Sequence, residues 1–401
     1  MSLNETPTAE RLHIGFFGMR NAGKSSVVNA VTGQKLSIVS EIKGTTTDPV
    51  LKSMELLPLG PVVIIDTPGL DDEGELGKMR VEKAKNILGK TDIAVLVVDA
   101  KNGLSAPDND LISVFKEKKL PFIIAYNKSD LISERKDLAE NEIYISALTN
   151  ENITELKNKL GRFAASQKSE KRIVADLLSP DDLVVLVTPI DEAAPKGRLI
   201  LPQQQTLRDV LDEHCAAVVC QDTELKKTLS MLSVKPKLVI TDSQAFGKVS
   251  KDTPDDIMLT SFSILFARYK GDLAELIKGA KALSELRDGD KVLISEGCTH
   301  HRQCNDIGTV KMPNWIEKFT NAKPEFAFTS GGEFPDDLSE YKLIVHCGGC
   351  MLNEKEMNFR IQKAVVSGVP IVNYGIAIAH MHGILKRSLE PFPEILKLLQ
   401  E

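Results

Sequence analysis

Between an apolar run, His13–Phe17, and a helix-like one, Ser26–Val31, stands Gly18-Met-Arg-Asn-Ala-Gly23-Lys24-Ser25. The spacing is GxxxxGKS, set between a strand and a helix, and it narrows the possible folds more than any other stretch. Glycine at Gly18 and Gly23 lets backbone N–H groups close around phosphate oxygens. Lys24 adds a point charge for the β- and γ-phosphates, and Ser25 offers a hydroxyl to Mg²⁺. Ser26 lies in the first turn of a helix whose N-terminus carries partial positive charge. Such a loop works at the carboxyl end of a parallel strand, so the chain around it should alternate strand and helix.

That alternation runs from Leu12 to about Arg162. Val62–Ile65 reads as a strand ending in Asp66-Thr-Pro-Gly69, where Asp66 would hold Mg²⁺ through water and Gly69 would sense the γ-phosphate. Phe122–Ala125 leads into Tyr126-Asn127-Lys128-Ser129-Asp130, and Glu142–Ile145 into Ser146-Ala147-Leu148, a turn placed to close over a base. The Asp130 carboxylate can accept from the N1–H and exocyclic amine of guanine, a donor pair that adenine lacks. The expectation is a P-loop domain that binds and hydrolyses GTP, with Asn127, Lys128, Asp130, Ser146 and Ala147 on the base side.

These motifs resemble the TrmE–Era group of GTPases, and the likeness covers the first 165 residues. The resemblance implies that Gly44-Thr45-Thr46-Thr47-Asp48 is the first switch loop, with Thr46 on Mg²⁺, and that Asn21 helps to hold a potassium ion. Catalysis would rest on Lys24, Thr46, Asp66 and Gly69. Leu70 follows Gly69 where Ras-like enzymes carry a water-orienting glutamine. Leucine cannot orient water, so slow intrinsic hydrolysis is expected, with potassium or dimerisation supplying the missing stabilisation. The acidic stretch Asp71–Gly77 should depend on the γ-phosphate for its order.

Downstream, Ile153, Leu156, Leu160 and Phe163 recur at helical spacing, and Ser166–Arg172 breaks the pattern with polar and basic residues. We read a linker over 166–181 and a middle α/β domain over 182–270. Its expected strands are Leu183–Val187, Leu199–Leu201, Ala216–Cys220, Leu238–Ile240 and Ile257–Leu259, with a helix from Thr206, as N-cap, to His214. Cys215 and Cys220 lack metal-ligand spacing and read as buried small hydrophobes. Without site chemistry, this domain is expected to serve homodimerisation.

Over 271–401 the parallel α/β pattern returns. Lys291–Ile294 leads into Ser-Glu-Gly297-Cys298-Thr-His300, and Lys342–Val345 into His346-Cys347-Gly-Gly-Cys350. Open α/β sheets gather ligands at the carboxyl ends of their strands, so Cys298, Cys347 and Cys350, with His300 or His346, form a candidate metal site. A Cys₃His zinc site and a three-cysteine iron–sulfur cluster both suit these ligands, and spacing alone does not separate them. His301, Cys304, His380 and His382 read as loop or packing residues.

A TrmE-type GTPase followed by CxH and HCxxC is similar to the maturation GTPases of [FeFe]-hydrogenases, and this likeness spans the whole chain. It implies a [4Fe-4S] cluster on the three cysteines with an open or labile fourth position. His300 and His346 would cap that iron or act as donors beside the sulfurs. The resemblance also implies a scaffold that carries a di-iron precursor, depends on two radical-SAM maturases and delivers to the hydrogenase apoprotein.

The 42% hydrophobic and 26% charged content suits a soluble globular protein. A net charge of −6 disfavours phosphate-backbone binding, so a nucleic-acid partner is not expected. No apolar run reaches the length of about 18 residues needed to cross a membrane. The N-terminus lacks a secretory apolar region, and a cytoplasmic protein is expected. The alternatives are a GTPase with a structural zinc domain acting in RNA modification or ribosome assembly, and a cluster-containing redox enzyme regulated by GTP.

Overall fold

The computed structural model describes residues 6–34, 50–67, 87–166, 171–190, 199–297 and 306–399. The chain divides into two compact units, Met1–Ser169 and Glu170–Glu401.

The first unit holds a six-stranded sheet in the order β2-β3-β1-β4-β5-β6. Its strands are β1 (Leu12–Phe17), β2 (Val50–Leu56), β3 (Gly60–Asp66), β4 (Ile93–Asp99), β5 (Phe122–Asn127) and β6 (Glu142–Tyr144). All neighbours are parallel except the β2–β3 pair. The central strand β4, Ile-Ala-Val-Leu-Val-Val-Asp, is apolar without alternation because helices cover both of its faces. One face packs on α1 (Lys24–Thr32) and α3 (Ile153–Ser166), the other on α2 (Ala106–Glu117), which gives two separate cores. The start of α2 is set by a reciprocal cap: the Ser105 amide donates to the Asp108 carboxylate at 3.0 Å and the Asp108 amide to the Ser105 hydroxyl at 3.4 Å.

The second unit contains two four-stranded parallel sheets. One has the order β10-β9-β7-β8, from β7 (Leu183–Val187), β8 (Ala216–Cys220), β9 (Leu238–Thr241) and β10 (Met258–Ser261). The other has the order β12-β11-β13-β14, from β11 (Lys291–Glu296), β12 (Glu325–Ser330), β13 (Leu343–His346) and β14 (Ile371–Asn373). Its helices of seven or more residues among the described ones are α4 (Leu201–Asp212), α5 (Leu225–Met231), α6 (Phe246–Asp252), α7 (Phe262–Lys270), α8 (Leu273–Leu283), α9 (Met312–Thr320), α10 (Glu354–Val366) and α11 (Tyr374–Met381).

The middle and last segments do not have separate cores. One continuous apolar core runs from Ile173 to Phe392, with α7, α8 and α11 contributing fully buried side chains to it. Polar ties cross the same seam: Asn373 donates to the Ser263 carbonyl at 3.1 Å and Thr260 to the Ser388 carbonyl at 3.0 Å.

Three local expectations are corrected. Much of the stretch read as a linker belongs to the second unit: Ile173 and Val174 are buried, and the amides of Ile173, Val174 and Ala175 converge on the Asp209 carboxylate at 3.0, 2.8 and 2.9 Å. Leu199–Leu201 is not a strand, because α4 starts at Leu201 with Pro202 in its first turn, where a missing N–H costs nothing. Thr206 is therefore inside the helix, buried and donating to the Pro202 carbonyl at 2.8 Å, and His214 lies past its end at φ +59°.

Helix α8 lies so close to β14 that a side chain at Gly279 would overlap the Ile371 carbonyl. Gly279→Ala is expected to lower the stability of the second unit by about 1–3 kcal/mol, since backbone cannot yield as a side chain can. An unchanged urea midpoint for its unfolding transition would contradict that packing.

Candidate functional site

Two groups of side chains form candidate sites, one in each unit, and each lies at the carboxyl ends of parallel strands. In the first, the loop after β1 passes so near the end of β4 that a side chain at Gly18 would overlap the Val97 carbonyl. Gly23 caps α1 at φ +84°, a left-handed conformation that only glycine adopts cheaply, and a Cβ there would also overlap the Asn127 amide. The Lys24 ammonium donates to Asp66 Oδ1 at 2.6 Å and to the Thr67 carbonyl. The Ser25 hydroxyl is 3.5 Å from Asp66 Oδ2, and Ser26 is exposed on the same turn. Lysine, hydroxyl and carboxylate meet because β1 and β3 pair in register, Phe16 against Asp66.

The base side is tied to this loop by Asn127. It is buried, donates to the Ala22 carbonyl at 2.9 Å and accepts from the Ala147 amide at 3.0 Å. Lys128 spans the same distance, donating to the Asn21 carbonyl at 2.7 Å and to Asp99 at 2.6 Å. Burial alone would push the Asp99 carboxyl up, but hydrogen bonding and charge from Lys128 and the Lys101 amide hold it below the usual carboxylate range. Ser146 donates its hydroxyl to Asp130 at 2.5 Å, which orients the carboxylate that would read guanine. Asp99 was missed in the sequence, although the apolar run Ile93–Val98 that ends on it is a strong strand signal. Thr46, Gly69, the Gly44–Asp48 loop, Leu70 and Asp71–Gly77 lie outside the described residues.

In the second unit, β11 and β13 run side by side with Ser295 opposite His346. The chain crosses from β12 on one side of β11 to β13 on the other, so the loops after β11 and β13 flank a topological switch point. There the Cys347 sulfur accepts from the amides of Gly297 at 3.0 Å and Gly349 at 3.4 Å, bonds that favour a thiolate. Burial pushes the Cys350 thiol up, and the charge of Lys270 opposes that shift. The phenol of Tyr374 donates to Glu296 at 3.3 Å; burial, with charge on Cys347 and Glu296 beside it, keeps the phenol protonated far above its ordinary range. Cys298, His300, His301 and Cys304 lie outside the described residues. Among the described residues, no group of three or more His, Cys, Asp or Glu is arranged to hold a metal ion.

His346 lies beside these thiols. The ring is fully buried, with Nδ1 2.7 Å from the Cys347 carbonyl and Nε2 3.1 Å from the Arg360 guanidinium. Burial, and then the adjacent guanidinium, push its pKa down to about 3, so the ring is neutral, donating through Nδ1 and accepting at Nε2. His346 here donates to a backbone carbonyl beside the thiols and accepts from Arg360. Arg360 is 1% exposed and also reaches Glu356 at 2.8 Å, the Gly331 carbonyl at 2.7 Å and the Ser295 hydroxyl at 3.4 Å. Its position one turn from Met357 and Ala364, on the core face of α10, was the available signal. His380 packs locally, 3.0 Å from the Ser284 hydroxyl and edge-on to Phe319, and Cys215 is buried and donates to the Ser179 carbonyl at 3.0 Å.

Comparison with known families adds three matches. Residues 173–271 match the hydrogen maturase F dimerization domain and residues 274–391 the hydrogen maturase F tetramerization domain. The chain belongs to the hydrogen maturase F family. Residues 13–128 match a GTPase domain described as a 50S ribosome-binding GTPase, so the first unit is a GTPase domain. The segment read as a metal-binding domain is thus also the family's tetramerization domain, and self-association belongs to the whole second unit.

Similar curated proteins are GTPase Der of Kosmotoga olearia, 33% identical over 189 residues covering 42% of each chain, and the tRNA modification GTPase MnmE of Dechloromonas aromatica, 34% identical over 169 residues covering 41% of this chain and 37% of its own. The chain thus spans about two fifths of the length of these relatives. Similar solved structures are a probable GTP-binding protein EngB (25% identity, 39% of this chain and 100% of its own, TM-score 0.33) and Aquifex aeolicus Era bound to GDP and AlF₄⁻ (20%, 60% and 97%, TM-score 0.35). Among the described residues no helix is long and apolar enough to cross a membrane.

Two outcomes follow from this geometry. Gly23→Ala should weaken GTP binding at least tenfold in an equilibrium titration with fluorescent nucleotide, because the left-handed turn and the Asn127 tie are both lost. Arg360→Met should destabilise the second unit by about 3–5 kcal/mol in urea unfolding, because it breaks the buried ion pair with Glu356 from one side.

Proposed function

We propose that this chain is a GTP-hydrolysing maturation factor of [FeFe]-hydrogenase whose second unit carries a [4Fe-4S] cluster on Cys298, Cys347 and Cys350. The observation that carries this reading is the Cys347 sulfur at a sheet switch point, accepting two backbone amides while Cys298 follows Gly297 directly in the chain. That donor set fits a thiolate-bound group. Three cysteine ligands leave one metal position open, and His346, committed to Arg360, does not fill it; His300 remains the histidine that could. When bound, the cluster would offer an iron with an accessible face to a di-iron precursor, the cargo passed to the hydrogenase apoprotein after the work of two radical-SAM maturases.

In the first unit, Lys24 would neutralise the β- and γ-phosphates, Ser25, Thr46 and Asp66 would hold Mg²⁺, and Asp130 would select guanine. Gly69 would sense the γ-phosphate. Asn21, exposed on a backbone whose carbonyl Lys128 holds, would help to bind potassium. The family's dimerization domain, matched over 173–271, supports a homodimer as the working form.

Anaerobic reconstitution with iron and sulfide, followed by EPR of the reduced protein, tests the cluster. A [4Fe-4S] signal in the wild type that collapses in Cys347→Ser is expected; stoichiometric zinc with no such signal would replace this reading with a structural-zinc GTPase. GTP hydrolysis should run roughly tenfold faster in potassium than in sodium, a barrier change of about 1.4 kcal/mol. Asn21→Ala should remove most of that difference, and equal rates in the two salts would eliminate the potassium role.

A further inference from the structure

Lys270, the last residue of α7, is 4% exposed. Its ammonium donates to the Cys350 carbonyl at 3.2 Å and to the Leu352 carbonyl at 3.1 Å, and stands 5.7 Å from the centre of the Phe266 ring. Those carbonyls belong to the end of the loop that carries both thiols. Hydrogen bonds from a charged donor are worth about twice neutral ones, so this grip fixes the loop backbone more firmly than its own turn bonds do.

The helix that presents Lys270 is itself held. Two residues earlier, Arg268 donates to both oxygens of Asp176 at 2.7 and 2.6 Å and to the carbonyls of Arg172 and Ile173, each at 3.1 Å. Just beyond Lys270, Gly271 lies against α10, where a side chain would press on Ile361 at 2.9 Å. Helix α10 is the element that the loop runs into. Both partners in the contact are therefore seated on the same core.

A fixed positive charge beside a cluster has a second effect. An iron–sulfur cluster gains negative charge on reduction, and nearby cations stabilise that state and raise its potential. We propose that Lys270 is a positioning residue of the thiolate site, holding the Cys350–Leu352 backbone and raising the reduction potential of the cluster bound there. This rests on the cluster reading above.

The test uses the full chain as wild type, Lys270→Met, Lys270→Arg and, as a control, Lys278→Met, whose exposed ammonium pairs with Glu275. Two quantities are measured: amide exchange of residues 348–352 before reconstitution, and the midpoint potential after reconstitution with iron and sulfide, followed by EPR. Lys270→Met should exchange about tenfold faster in that loop, the cost of a charged hydrogen bond, and show a more negative potential at unchanged iron content. Lys270→Arg and Lys278→Met should keep potentials close to the wild type. Wild-type exchange and potential in Lys270→Met would overturn the proposal. If that variant does not fold, Lys270→Gln keeps a donor without the charge, and its potential decides in the same way. A wild-type protein that takes up no cluster overturns the cluster reading and the effect on potential with it, whereas a wild type that takes it up and an indifferent Lys270 overturn this proposal alone.

Discussion

The amide of Cys347 donates to the Ser295 carbonyl at 2.9 Å, the last rung of the ladder between β11 and β13. The placement of the thiols depends on it. Parallel strands with both faces covered are written as short, wholly apolar runs, and their side chains carry no chemistry of their own. What they supply is register. With Ser295 opposite His346, the first residues beyond each strand, Gly297 and Cys347, come within hydrogen-bonding distance. A slip of one residue would turn every side chain of β13 to the other face and point Cys347 away from the Gly297 amide. The same logic brings Asp66 to Lys24 in the first unit, where β1 and β3 pair.

Around that ladder the second unit spends buried charge where an apolar core would be simpler. Arg360 and Glu356 form an ion pair in the interior, Arg360 turns His346 into a neutral acceptor, and Lys270 grips the loop from α7. Buried ion pairs contribute little net stability compared with well-packed apolar groups, and their use is to fix one arrangement. Here they fix the backbone that leads into and out of the Cys347–Cys350 turn. The shared core from Ile173 to Phe392 serves the same end, since the helices that carry Lys270 and Arg360 cannot shift independently of the sheet.

Much of the candidate nucleotide site was legible because its motifs are local. Gly18–Ser25, Asp66, Asn127–Asp130 and Ser146–Ala147 each sit at the end of an apolar run, so finding the run finds the candidate residue. Asp99 follows the same rule, at the end of the apolar run Ile93–Val98. The misread elements have a different cause. Leu199–Leu201 is as apolar as a strand, and only Pro202 marks the start of a helix there. Ile173 and Val174 stand beside a basic run that reads as a linker, and their burial depends on Asp209, more than thirty residues later.

By itself the sequence marked the alternation of strand and helix, the GxxxxGKS loop, the carboxylate that would select guanine and a cysteine just beyond β13. Each of these is set by residue type and spacing within a few turns of chain. The role of His346, the merging of the middle and last segments into one core, and the convergence of Lys270 and Arg360 on a single loop were decided only by the tertiary structure. Those depend on which distant side chains are buried together, and burial of a charge or an imidazole is a property of the assembled core, not of any local pattern.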